Sequence, residues 1–123
     1  MHISRFLTLF LAAIVLAGCA VPNKYSWGNY DRSLYSYYKD TTKSAEHIAE
    51  LESIVQSAEK TQAQVGPGIY AEYGYFLMQL GKSNEAISQF EKEKTRWPES
   101  TQLMNTMIKI ASAKTTKPLA SKE

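Results

Sequence analysis

His47 and a set of carboxylates led by Glu46, Glu50 and Glu72 are the side chains beyond the N-terminal segment with acid, base or ligand chemistry to offer. A structural zinc site takes four ligands, mostly histidine and cysteine. The chain has only His2, His47 and Cys19 of these types, so no metal site is expected. Nucleophilic catalysis needs a serine or cysteine held against a base such as histidine. No spacing in the sequence marks such a partner for His47, which is expected to be solvated or partly packed near the start of a helix. Glu46 and Glu50 are one helical turn apart, a pair that glycoside hydrolysis could use. They stand beside Lys43 on a polar face, however, and read as solvated. Glu72 lies among aromatic residues and is the better single acid, yet nothing in the sequence supplies its second carboxylate. Gly66-Pro67-Gly68 lacks the spacing and the lysine of a phosphate-binding loop. No catalytic residue and no cofactor is expected: the protein reads as one that binds.

The cysteine has a different chemistry. MHISRFLTLFLAAIVLAGC divides into a basic start at Arg5, an apolar run from Phe6 to Leu16, and small residues before Cys19, which is the layout of a secretory signal. The run is shorter than the roughly 20 residues that a membrane-spanning helix needs. Leu16-Ala17-Gly18-Cys19 resembles the bacterial lipobox. That resemblance implies removal of residues 1–18 and attachment of diacylglycerol and an N-acyl chain such as palmitate to Cys19. One acyl chain anchors a protein only marginally, whereas two or three hold it on a membrane. Ala20 and Val21 follow, with no aspartate of the kind that retains enterobacterial lipoproteins at the inner membrane. The expected location is therefore the outer membrane, facing the periplasm. A lone cysteine also leaves no intramolecular disulfide to form.

The formal net charge of the whole chain is only +2, and Arg5 leaves with the signal. Nucleic-acid binding would need a basic patch, so nucleic acid is not an expected partner. Residues 19–29 read as the lipidated cysteine and a tether, broken by Pro22, Asn23 and Gly28. Residues 30–113 read as an all-α domain of about five helices. The expected spans are 31–40, 44–64, 67–80, 83–97 and 100–113, with Gly66-Pro67-Gly68, Gly81 and Pro98 as the stops. On the second helix Ile48, Leu51, Val55 and Ala58 form the apolar stripe. Residues 114–123 read as a disordered tail.

Between Pro67 and Ser100 the chain resembles a tetratricopeptide repeat of 34 residues. Gly74, Ala86, Phe90 and Pro98 fall on its signature positions, and Tyr70, Tyr73 and Gly81 also fit. Leu77 replaces a tyrosine. Glu93 replaces an alanine, so looser packing on the next unit is expected there. Frames shifted by one repeat fit poorly, which makes the flanking helices degenerate neighbours. In such repeats the first helix presents its inner face to partners. The resemblance places Gly68, Ala71, Tyr75 and Met78 on that face, with Gln79 adjacent; the other reading packs Tyr75 and Met78 against the preceding hairpin.

The string KYSWGNYDRSLYSYYKD, residues 24–40, holds five tyrosines and Trp27. Tyr30, Leu34, Tyr35 and Tyr38 read as the core face of the first helix, while Tyr25, Trp27 and Tyr37 fall outside it. Trp27 and its neighbours either clamp the tether onto the hairpin, the favoured reading, or await a partner. With the lipobox and the repeat, this string is similar to a family of small proteobacterial lipoproteins known only as a domain of unknown function. Its genes often neighbour one for a lipoprotein like the curli secretion channel, which implies such a protein as partner. The expected function is a non-enzymatic adaptor in an outer-membrane assembly. The alternative is a cell-wall or carbohydrate binder that uses aromatics near Trp27.

Overall fold

The computed structural model describes residues 24–116, and Leu16, Ala17, Gly18 and Cys19 lie outside them, as does the segment from Lys117 to Glu123. Five α-helices follow one another: α1 Tyr30–Lys39, α2 Ser44–Thr61, α3 Ile69–Gln79, α4 Ser83–Arg96 and α5 Thr101–Thr116. Short 3-10 turns over Thr41–Lys43 and Pro98–Ser100 precede α2 and α5. Among the described residues the fold is all-α, as expected. Helix α5 continues three residues past the expected end at Ala113, so Lys114, Thr115 and Thr116 are helical.

Local chemistry sets the boundaries. The Asp40 carboxylate accepts from the Thr42 amide at 3.0 Å and the Thr42 hydroxyl at 2.7 Å, which closes α1 and starts the next turn. These hydrogen bonds also hold Asp40 below the usual carboxylate range. Between α3 and α4 the chain reverses at Gly81, whose φ of +78° is one that side chains disfavour. The Lys82 amide donates to Leu77 O and that of Gly81 to Met78 O, the paired bonds of a Schellman cap.

The core runs along the stack of helices. Leu51, Ile54, Val55 and Ala58 of α2 meet Ile69, Tyr73, Phe76 and Leu77 of α3, then Ala86 and Phe90 of α4, then Met104 and Ala111 of α5. Helices α3 and α4 approach closely because Gly74 has no side chain. A Cβ there would stand 2.7 Å from the ring of Phe90 and 3.2 Å from the backbone oxygen of Ala86. Helix α1 differs from all the others, because none of its residues is fully buried.

Candidate functional site

Helix α1 is seated on α2 and α3 by a polar node. The hydroxyl of Ser33 lies 2.8 Å from His47 Nδ1, and His47 Nε2 lies 2.9 Å from Glu72 Oε1. Glu72 Oε2 accepts from the Tyr30 hydroxyl at 2.7 Å. Ser33 Oγ is also 3.0 Å from the carbonyl oxygen of Tyr30, within α1 itself. The ring of His47 has no solvent exposure. Tyr37 stacks on it at 5.7 Å and 7°, and Phe76 meets it edge-on at 5.7 Å. The expectation of a solvated or partly packed His47 is thus corrected: it belongs to the buried face of α2, one position from the stripe assigned to Ile48. Burial, the hydrogen bond to Glu72 and the charge of Glu72 all raise the pKa of Tyr30, which keeps it a phenol that donates.

The node brings together a serine, a histidine and a glutamate that no sequence spacing linked. A carboxylate at Glu72 requires Nε2 of His47 to carry a proton. Neutral His47 then accepts the Ser33 proton at Nδ1. A doubly protonated ring instead donates to Ser33, whose own proton turns to the Tyr30 carbonyl. Either arrangement satisfies every polar atom involved, which suits a buried network. Ser33 stands in the first turn of α1 and its hydroxyl also reaches the Tyr30 carbonyl of its own helix, while the His47 ring is packed against the Tyr37 and Phe76 rings.

A second constellation fixes the segment before α1. The Ser26 amide donates to Gln64 O at 2.7 Å, and Ser26 bridges Val65 in parallel fashion. Tyr25 meets Trp97 edge-on at 5.6 Å, while Trp27 lies 6.3 Å from Tyr25 and 5.8 Å from Tyr30. The Trp27 ring covers Gly66 so closely that any Cβ there would collide with it. Glu50, read from sequence as a solvated partner of Glu46, instead accepts from the Asn29 amide at 2.8 Å. Residues 24–29 are therefore laid against the helices, and Trp27 keeps 39% of its surface open.

Helix α1 turns a different face inward from the one expected. Tyr30, Ser33, Leu34 and Tyr37 face the domain, whereas Tyr35 and Tyr38 are 61% and 85% exposed. Seven residues separate Tyr30 from Tyr37, two full helical turns, and Ser33 sits between them because His47 needs its hydroxyl.

Glu93 is resolved differently as well. It is almost fully buried, and its Oε1 accepts the Gly68 amide at 2.8 Å. The carboxyl group thus caps the otherwise uncapped start of α3. Burial raises its pKa, against the lowering effect of the Gly68, Ala71 and Tyr70 amides. Its second oxygen has no hydrogen-bond partner, nor do buried Gln89 Oε1 of α4 and Nε1 of Trp97, the C-cap residue of α4. The looseness expected at this position is absent, because Glu93 turns back onto α3.

The expected partner face of α3 is partly open. Tyr75 is 46% exposed, and Gln79 is exposed one turn further on. Met78 is buried in the core and offers no surface to a partner. Gly68 is exposed and Ala71 half-buried. A cleft of about 250 Å³ opens beside Gln79, lined by Tyr37, Thr41, Ser44, Ile48, Phe76 and Leu80. Glu46 is exposed. Among the described residues, no group of three histidine, cysteine or acidic side chains could hold a metal ion.

A family model described as a domain of unknown function (DUF4810) matches residues 24–107, more than half of the chain. The chain belongs to the DUF4810 family. Neither the curated proteins nor the solved structures give a match. The DUF4810 match begins at Lys24, where the aromatic clasp begins, and takes in the polar node, the α3–α4 hairpin and the first turns of α5. Clasp and domain are thus one family unit.

Proposed function

We propose that this DUF4810 protein is a lipid-anchored, non-enzymatic adaptor that docks a protein partner at the periplasmic face of the outer membrane. Cys19 carries the lipid, and residues 67–100 act as a tetratricopeptide-like repeat. The observation that carries the docking reading is the exposure of Tyr75 and Gln79 on one face of α3, beside the cleft that ends at Leu80. Tyrosine offers large contact area at small cost in conformational entropy. Gly74 against Phe90 and Ala86 supports the repeat reading, since close approach of the paired helices is what its signature positions serve. The seclusion of His47 supports a protein without catalysis. By resemblance to its relatives' gene neighbourhood, the partner is a lipoprotein like the curli secretion channel.

The alternative, sugar stacking by Trp27, has thinner support, because that ring already lies over Gly66 and beside Tyr25 and Tyr30. It requires the protein to sediment with cell-wall polysaccharide and Trp27→Ala to abolish this. Palmitate labelling in cells tests the anchor: the parent takes up label and Cys19→Ala does not. Equal labelling of both would remove Cys19 from the proposal. Purification of the acylated protein from its own membrane should bring one partner with it in fixed proportion, and its recovery alone would count against an adaptor.

A further inference from the structure

Among the described residues, nothing covers the outward face of α1. Arg32, Tyr35 and Lys39 follow one another at i, i+3 and i+7, all exposed, with Tyr38 beside them at 85% exposure. The Lys39 ammonium sits 5.4 Å from the centre of the Tyr35 ring, so cation and aromatic share one surface. Lys24 and Lys43, at the two ends of this segment, are exposed as well. Two acids lie nearby: Asp31, toward the Tyr38 edge, and Asp40, whose carboxylate is engaged by Thr42. The chain as a whole is close to neutral, but this segment carries four basic residues against two acidic ones.

Tyrosine with lysine and arginine is the composition that settles at a membrane–water interface. The ring lies among headgroups, and the cations meet anionic phosphate. The length of chain outside the described residues then decides what this face can reach. From Cys19 to Lys24 the chain spans at most about 18 Å, little more than the roughly 15 Å length of α1. The clasp fixes Lys24 to Asn29 against the domain, so none of that stretch adds reach. A protein anchored at Cys19 therefore keeps Lys24 within about 18 Å of the bilayer, and the clasp that starts there leads straight into the first turn of α1 at Tyr30.

We infer that the Arg32–Tyr35–Tyr38–Lys39 face of α1 rests on anionic phospholipid headgroups beside the anchor. This orients the domain and leaves the Tyr75 face of α3 free. The inference depends on the lipid-anchored reading of Cys19, and the experiment separates the two. The acylated full-length protein is first checked for acyl mass on its N-terminal peptide. An unmodified Cys19 overturns the anchor and this inference with it.

Because acylation occupies the native cysteine, Tyr38→Cys and Ser88→Cys each give one labelling site for a fluorophore. The labelled proteins enter phosphatidylethanolamine vesicles, with and without phosphatidylglycerol, that contain a quencher at headgroup depth. Quenching at position 38 is expected to be several-fold stronger than at position 88. It should strengthen with phosphatidylglycerol, and Arg32→Glu with Lys39→Glu should reverse that increase while acylation is unchanged. Equal quenching at both positions on acylated protein would overturn the inference and leave the anchor standing. Shielding of position 38 that tracks protein density instead of lipid charge would also overturn it, in favour of contact between copies of the chain.

Discussion

Helix α1 and the α3–α4 hairpin are both amphipathic, but they are held by different forces. The hairpin is apolar at its centre, where Gly74 admits Phe90 and the side chains around them are buried. Helix α1 has no fully buried residue and is joined through hydrogen bonds and ring contacts at Tyr30, Ser33 and Tyr37. Apolar burial is non-directional and scales with area. A polar network is directional, and losing one member leaves the others unpaired. The hairpin should therefore fail as a whole, and α1 should fail by coming away.

The largest effect is expected from Phe90→Ala, which should cost about 3–5 kcal/mol and abolish cooperative unfolding followed by circular dichroism. His47→Leu should cost about 2–3 kcal/mol, the penalty for orphaned polar groups. Its signature is local: amide exchange in α1 accelerates much more than exchange in α3 and α4. Uniform acceleration in all helices would erase the distinction between the two regions. Glu93→Ala removes the cap of α3 and should cost about 1–2 kcal/mol in urea unfolding.

Glu93→Gln keeps an acceptor for Gly68 and removes the buried charge. Because the folded pKa of Glu93 is raised above its ordinary 4.5, its contribution is fully present below that value. It is lost as pH rises through the folded value. The parent should therefore lose stability relative to Glu93→Gln over that rise, and parallel pH profiles would contradict the assignment. The smallest effect belongs to Tyr35→Ser with Tyr38→Ser, within about 0.5 kcal/mol in a thermal melt, since the domain makes no use of those rings for packing.

The same contrast explains what could be read before the fold was known. Gly81 and Pro98 act locally, so those two stops were plain in the sequence, whereas α2 ends at Thr61, three residues short of the expected Gln64, on a left-handed Gln62 that no local signal marked. The all-α architecture followed from the stops and from apolar spacing. Tyrosine, which is content both in a core and in water, does not report which side of α1 faces inward. The decisive residue was Ser33, which looks solvent-facing until His47 is placed against it from fourteen positions away. Glu72 is another twenty-five positions on, so no local pattern could have assembled the node. Glu93 looked like a packing defect because its partner, the exposed start of α3, exists only once the hairpin has formed. On the candidate docking face, the repeat resemblance put Tyr75 and Met78 together with Gln79 adjacent. The other reading, inward packing, fits Met78, which lies in the core, while Tyr75 stays open.

The adaptor reading stands most directly on the open face of α3. A photo-crosslinking residue placed at Tyr75 or Gln79 in the acylated protein, activated in its native membrane, should give one discrete protein adduct. The same residue at Ser88 on α4 should give none. No adduct from α3, or the same adducts from all three positions, would contradict docking at this face.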